Sequence, residues 1–330
     1  MILAIETSCD ETAAAVVDRA GVLRSSVVSS QAELHAPYGG VVPEVASRRH
    51  LELTVPVVGS ALSEAGATLD DLDSVAVTSG PGLIGALLVG VAAAKALAFS
   101  RRLPLIAVDH LHGHIASLYL APRPLEPPFL CLLASGGHTL LAEVDDRRGY
   151  RVIGSTLDDA AGEAFDKGAR LLGLGYPGGA LLEAAAQGGD PEAFDLPVSM
   201  LGRPGHDLSF SGLKTALLYA VQAVADVDGR RADLAASYQR AIVRTLVGRT
   251  MEALAATGLR TLAVVGGVAA NGALRGAFAD ACARDGIELA LAPLALCSDN
   301  AAMIASAARF TDPIPYPAYL DLDAHSSRVA

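Results

Sequence analysis

Short apolar runs and small-polar turns follow one another along the chain in an order that repeats. The chain opens with Ile2-Leu3-Ala4-Ile5, passes through a polar run over residues 6–12, and turns apolar again over 13–17 before Asp18. Two apolar runs joined by a small-polar turn predict a β-hairpin. The plan returns over 129–145, where Leu130-Cys131-Leu132-Leu133 leads into Ser135-Gly136-Gly137-His138-Thr139 and a second apolar run. A further echo follows each hairpin. Ser74-Val75-Ala76-Val77-Thr78 runs into Ser79-Gly80-Pro81-Gly82 and a long small-residue helix. Likewise Thr261-Leu262-Ala263-Val264-Val265 runs into Gly266-Gly267, then Asn271-Gly272 and another helix. A hairpin followed by strand, Gly loop and helix, occurring twice, implies an internal duplication of two α/β domains.

Between the halves, residues 121–128 carry Pro122, Pro124, Pro127 and Pro128, which continue neither a helix nor a central strand and make a natural hinge. The expected domains are 1–123 with 300–330, and 124–299. The last twenty residues, with Pro313, Pro315 and Pro317, are expected to form an irregular tail. Duplicated α/β domains, each opening on a hairpin with a small-residue turn, describe the actin-like ATPase fold shared by actin, sugar kinases and heat-shock chaperones. Its two domains flank a nucleotide cleft. A doubly wound dinucleotide fold is the rival, but no G-x-G-x-x-G and helix follow the first strand.

Composition sharpens this. Of 330 residues 52% are apolar, enough for a sizeable core, while aromatics at 5% and the absence of Trp argue against base-stacking platforms. With 25 Lys and Arg against 36 Asp and Glu, the net charge of −11 repels phosphate backbones at long range. The basic pairs Arg48–Arg49, Arg101–Arg102, Arg147–Arg148 and Arg230–Arg231 read singly as solvated surface. If RNA is a substrate, they cluster or a partner supplies positive surface. Cys9, Cys131, Cys282 and Cys297 show neither CxxC spacing nor a secreted framework, which implies a reducing compartment. The start carries no basic leader, and the apolar stretch 83–99 falls short of the ~20 residues that span a bilayer. A cytoplasmic chain without membrane contact is expected.

The sharpest local signal is His110-Leu111-His112-Gly113-His114. Asp109 suits a helix N-cap, and Leu111, Ile115 and Leu118 form an apolar stripe at helical spacing. His110 and His114 then stand one turn apart, where two imidazoles reach one metal, and His112 points about 100° away as a bystander. The run lacks the Glu of His-Glu-x-x-His, so a zinc protease would have no general base. Asp299, between a strand over 287–292 and a helix over 301–308, is the candidate third ligand. Its other reading is an N-cap, which Ser298 could equally supply. Ser135-Gly136-Gly137, Gly178-Gly179 and Gly266-Gly267 with Asn271 are turns whose backbone can close on an anion. Asp166 could hold ribose hydroxyls, and together these four features point to a nucleotide cleft.

These residues, with Ile5-Glu6-Thr7-Ser8-Cys9-Asp10-Glu11-Thr12, Pro43-Glu44-Val45-Ala46-Ser47-Arg48, Gly80-Pro81-Gly82-Leu83 and Phe210-Ser211-Gly212-Leu213-Lys214-Thr215, resemble the TsaD family. The motifs stand in family order over nearly the whole chain. The resemblance implies a tRNA threonylcarbamoyladenosine transferase. Such an enzyme moves a threonylcarbamoyl group from its adenylate, threonylcarbamoyl-AMP, to N6 of adenosine 37 in tRNAs reading codons that start with A, forming t6A. It places iron or zinc, Fe(2+) or Zn(2+), on His110, His114 and Asp299. It places the adenylate on Leu133, Ala134, Ser135, Gly136, Gly137, Asp166, Gly179 and Asn271. It implies an inactive TsaB-type paralogue as heterodimer partner and a small TsaE-type ATPase. The chain departs from the family at Gly168, Ala180 and Leu208, none of which is a proposed ligand. Asp10 and Glu11, in the first hairpin turn, are candidates for assisting the amine. A metalloprotease, a sugar kinase and an actin-like ATP-gated binding module are the rival readings.

Overall fold

A computed structural model describes residues 1–121 and 123–327, which form two compact units. The first comprises Met1–Glu126, Arg147–Gly149 and Ser298–Ala330, and the second Pro127–Asp146 and Tyr150–Cys297. The exchange at 126/127 falls within the proline-rich stretch, whose Pro122 lies outside the described residues.

In the first unit, β1 (Ile2–Glu6), β2 (Glu11–Val17), β3 (Leu23–Ser30), β4 (Ser74–Gly80) and β5 (Leu105–Asp109) form a sheet in the order β3-β2-β1-β4-β5. β1 pairs antiparallel with β2, Ile5 opposite Ala14, and parallel with β4, Ile5 opposite Val77. β1, β2 and β4 are covered on both faces, which is why they read as continuous apolar runs rather than as alternation. The edge strand β3 does alternate, with Arg24, Ser26, Val28 and Ser30 exposed.

The second unit repeats the plan. β6 (Phe129–Ala134), β7 (Thr139–Val144), β8 (Arg151–Ser155), β9 (Thr261–Val265) and β10 (Glu288–Leu291) take the order β8-β7-β6-β9-β10, and β6 is again antiparallel to β7 and parallel to β9. Matching strand order and direction bear out the duplication.

Helix Ala301–Ala308 is wholly buried and packs across β1, β2 and helix His110–Ala116. Its Ala and Ser residues permit that closeness, and Ser306 Oγ donates to the Ala116 carbonyl at 2.8 Å. A Cβ at Gly113 would lie 2.7 Å from Ile304 Cδ1, so glycine there lets the two helices meet.

Helix Ile84–Arg101 is the one described helix long and apolar enough, by length and composition, to cross a membrane. Its buried residues Ala86, Leu87, Gly90, Val91, Ala94 and Ala98 recur at helical spacing and pack on the β4 side of the sheet, as in an α/β layer.

The C-terminal segment is irregular as expected, apart from a 3₁₀ turn at Ala318–Asp321, yet it is not a loose tail. Ile314 bridges Leu105, Tyr319 is fully buried in the core, and Lys95 Nζ donates to the Leu320 carbonyl at 2.9 Å. Buried apolar side chains hold in place what proline prevents from forming a helix.

Candidate functional site

Asp109 ends β5 and caps the following helix, its Oδ1 accepting the His112 N–H at 2.8 Å. That start sets the face on which His110 and His114 stand one turn apart, with ring centroids 4.8 Å apart and nearly perpendicular. His112 turns away and donates from Nε2 to the Arg147 carbonyl at 3.1 Å.

Asp299 precedes helix Ala301–Ala308, whose N-cap is Asn300, with Oδ1 accepting the Met303 N–H at 2.9 Å. The cap is therefore neither Ser298 nor Asp299. The structure draws the unit boundary at 297/298, so Asp299 shares a unit with the histidines rather than belonging to the stretch 124–299. Its Oδ1 lies 3.6 Å from His110 Nε2 and 3.1 Å from His114 Nε2. The donor atoms of the three all fall within 4.8 Å of one another, a possible metal-binding site.

The residues fit a cation. His114 is completely buried and neither ring nitrogen has a hydrogen-bond partner, although Nε2 is close to the Asp299 carboxylate. A short separation without hydrogen-bond alignment is how two ligands of one ion approach each other. An unpartnered buried imidazole otherwise costs free energy.

Glu6, at the end of β1, completes the surroundings. It is fully buried; Oε2 accepts Thr78 Oγ1 at 2.6 Å and faces His110 Nδ1 at 3.2 Å, while Oε1 accepts the Ser8 N–H. Ser8 Oγ also lies 3.1 Å from His110 Nδ1. A carboxylate behind one ring nitrogen fixes the tautomer and turns the other toward a metal. Burial would raise the Glu6 carboxyl, but His110, by charge and hydrogen bond, outweighs it and the net shift is downward. In the metal-free chain burial opposes a charged His110, yet Asp299 and then Glu6 lift it to about 9. Sequence reading left Glu6 out of the site; its signal is a carboxylate closing an otherwise apolar strand.

Asp10 and Glu11 sit at the turn end of β2. Burial, then the negative charges of Asp299 and Asp10, push the Glu11 carboxyl up to about 9. Burial and the same acidic neighbours raise the Cys9 thiol well above its ordinary value. The turn therefore lies within the electrostatic reach of Asp299.

The second unit brings its own candidates together. Leu133 and Ala134 end β6, and Ser135, Gly136 and Gly137 form the turn into β7, closed by Ser135 N–H on the His138 carbonyl at 2.7 Å. Gly162 donates to the Ser135 carbonyl at 3.1 Å, which seats helix Ala161–Leu171 against the turn. On that helix Asp166 Oδ1 accepts the Gly178 N–H at 2.8 Å, next to Gly179. Gly266, at φ +91°, passes so close to β6 that a Cβ would meet the Ala134 carbonyl oxygen at 2.4 Å. Asn271 Oδ1 caps helix Gly272–Asp285 while its amide donates to Gln239 Oε1 at 2.9 Å, and Glu183 accepts the Gly272 N–H at 2.7 Å. Gln239 and Glu183 were missed, being ordinary polar positions on helices in sequence. At Gly137 and Gly179 a Cβ would face open space, so packing within the chain does not require glycine there.

A family model described as TsaD, tRNA N6-adenosine threonylcarbamoyltransferase, matches residues 22–306. A relative from Symbiobacterium thermophilum, named tRNA N6-adenosine threonylcarbamoyltransferase, is 56% identical over 93% of this chain and 90% of its own length. The chain belongs to the TsaD family. It is accordingly a transferase that modifies tRNA. Solved structures of T. kodakarensis HypF and of the Acidaminococcus fermentans (R)-2-hydroxyglutaryl-CoA dehydratase component A also resemble it. HypF gives TM-score 0.62 at 16% identity, over 93% of this chain and 47% of that one. Component A gives TM-score 0.55 at 13% identity, over 94% and 95%. At such identities they speak to the fold alone, the duplicated actin-like ATPase fold expected of a TsaD member.

Proposed function

We propose that this chain transfers the threonylcarbamoyl group from threonylcarbamoyl-AMP to N6 of adenosine 37 in tRNAs reading codons that begin with A, with one Fe(2+) or Zn(2+) on His110, His114 and Asp299. The observation that supports it most is the convergence of two buried imidazoles and a carboxylate, one imidazole without a hydrogen-bond partner, in a TsaD-family chain. Two imidazoles and a carboxylate suit either metal. When bound, the metal supplies Lewis-acid polarisation of an oxygen of the reacting group. It does not favour a protease, since the helix carries no Glu between its histidines.

The remaining work belongs to side chains and backbone. N6 of adenosine attacks the carbamoyl carbon, the bond from that carbon to the phosphate oxygen breaks, AMP departs, and N6 loses a proton. Asp10 and Glu11, at the turn end of β2, are the side chains assigned to take that proton. Glu6 holds His110 in the tautomer that offers Nε2. In the second unit, the backbone of Leu133, Ala134, Ser135, Gly136 and Gly137, with Asp166, Gly179 and Asn271, holds the adenylate. Open space at Gly137 and Gly179 supports a ligand's close approach. The two domains of the reading follow the duplication.

Each basic pair has at least one arginine tied to an acid: Arg49 to Glu52, Arg101 to Asp70, Arg147 to Glu126, and Arg230 to Asp233. With a net charge of −11, the chain borrows positive surface from a TsaB-type paralogue and works with a TsaE-type ATPase in the cytosol. Metal analysis tests the reading. The wild-type chain should carry one equivalent, and His110→Ala/His114→Ala should carry none while retaining its circular dichroism. Stoichiometric metal in the double variant would refute the site.

A further inference from the structure

The turn between β1 and β2 is held from several sides. Thr7 Oγ1 donates to the Ala86 carbonyl at 2.9 Å, and the Leu83 N–H donates to the Ser8 carbonyl at 2.8 Å. The Gln31 N–H donates to the Asp10 carbonyl at 3.0 Å. Glycine permits this closeness, because a Cβ at Gly90 would lie 2.3 Å from Thr7 Oγ1 and one at Gly82 2.7 Å from the Ser8 carbonyl oxygen.

Ser30 Oγ donates to Glu11 Oε1 at 3.2 Å, and a further hold comes from His50, on helix Pro43–Glu64. Its side chain is completely buried, and its Nε2 lies 3.0 Å from the Cys9 carbonyl oxygen. Nδ1 lies 2.8 Å from Thr12 Oγ1 and 3.4 Å from Gln31 Nε2. A carbonyl only accepts, so Nε2 carries the proton and Nδ1 takes the Thr12 hydroxyl hydrogen and a Gln31 amide hydrogen. Burial first holds the imidazole below its ordinary value, in keeping with a neutral ring of that tautomer. Both nitrogens are thus committed, one to residue 9 and one to residue 12. Asp10 and Glu11 are the two residues between.

We propose that His50 is a positioning residue for transfer: by bridging Cys9 and Thr12 it fixes the orientation of Asp10 and Glu11. This rests on the reading that Asp10 and Glu11 assist the amine. The His50 ring bonds to Cys9, Thr12 and Gln31, none of them a metal ligand, so its loss should leave the metal in place. The cost falls on the alignment of the reacting groups, where a displacement near 1 Å is worth on the order of 100-fold in rate.

The test is single-turnover and steady-state transfer of labelled threonylcarbamoyl from its adenylate to unmodified tRNA. The chain is assayed together with the proposed partner proteins, and metal content and melting temperature are measured in parallel. His50→Leu should keep its metal, leave KM for both substrates within threefold, and lose about 100-fold in kcat. His50→Gln, whose amide nitrogen can donate to the Cys9 carbonyl in place of Nε2, should recover at least tenfold of that loss. A folded, metal-loaded His50→Leu with wild-type kcat overturns the proposal, as does a Gln variant no better than Leu. Should His50→Leu not fold, Thr12→Val decides the matter. A threefold or greater loss in kcat with metal retained supports the bridge, and unchanged kcat overturns it. Activity of wild type alongside a fully active Asp10→Ala/Glu11→Ala variant would instead refute the underlying assignment, and this inference with it.

Discussion

Replacing Glu6 by Gln should weaken metal binding without removing a ligand. The carboxylate accepts on both oxygens: Oε1 takes the Ser8 N–H, and Oε2 takes the Thr78 hydroxyl while facing His110 Nδ1. A glutamine has one oxygen for these two sides. With its oxygen toward Ser8, its NH₂ faces Nδ1 and drives the imidazole proton onto Nε2, the atom that faces Asp299. With its oxygen toward His110, its NH₂ opposes the Ser8 N–H in a fully buried place, at a cost of about 1–3 kcal/mol. Either arrangement works against a metal-ready His110. Loss of such a supporting partner typically lowers metal affinity by about 10- to 100-fold, or roughly 1.4–2.8 kcal/mol. Titration of the metal-free variant with Zn(2+) against a competing chelator measures this, with circular dichroism to confirm the fold. A Glu6→Gln dissociation constant within twofold of wild type would refute the supporting role of Glu6.

In the second unit, Asp158 accepts Ser209 Oγ at 2.6 Å, the Phe210 N–H at 2.7 Å, the Ser211 N–H at 3.1 Å and Ser211 Oγ at 2.7 Å, anchoring the start of helix Ser211–Ala223. Asp158→Ala should cost about 1–2 kcal/mol in denaturant titrations. Burial opposes ionisation of Asp158 but these bonds outweigh it and lower its pKa. The deficit should therefore be full above the unfolded carboxyl's range near pH 4 and shrink as pH falls through the lower folded value; a deficit that grows in acid would contradict this. Gly179→Arg should fold normally, since its Cβ meets open space, yet bind threonylcarbamoyl-AMP at least tenfold more weakly by calorimetry. Titrated across a salt series, the lone chain should bind tRNA weakly and its complex tightly; tight binding that the partner does not change would show its own surface suffices.

How far the site is legible in sequence depends on whether its geometry is local. His110 and His114 share one helix, so a four-residue spacing already places them on one face. Asp109 as cap follows from its position before an apolar stripe. The duplication is equally legible, because each hairpin and each strand, Gly loop and helix is a contiguous pattern. Glu6 is another matter, since its bond to His110 spans 104 residues and depends on β1 lying beside β4, and β4 beside β5. His50 and Thr12 meet for a similar reason, through the packing of a helix on β2. At the last helix three adjacent polar residues, Ser298, Asp299 and Asn300, are chemically competent caps. Only the backbone decides for Asn300 and thereby leaves Asp299 beside the histidines. The C-terminal prolines correctly signal irregular backbone, but burial of Tyr319 is a tertiary fact.

The most direct measurement is transfer of labelled threonylcarbamoyl from its adenylate to unmodified tRNA, comparing the metal-loaded wild-type chain with His114→Ala, both with partner proteins. The account predicts label on N6 of adenosine 37 with wild type and a loss of several orders of magnitude with His114→Ala. Undiminished label with His114→Ala, after its metal has been shown to be absent, would contradict it.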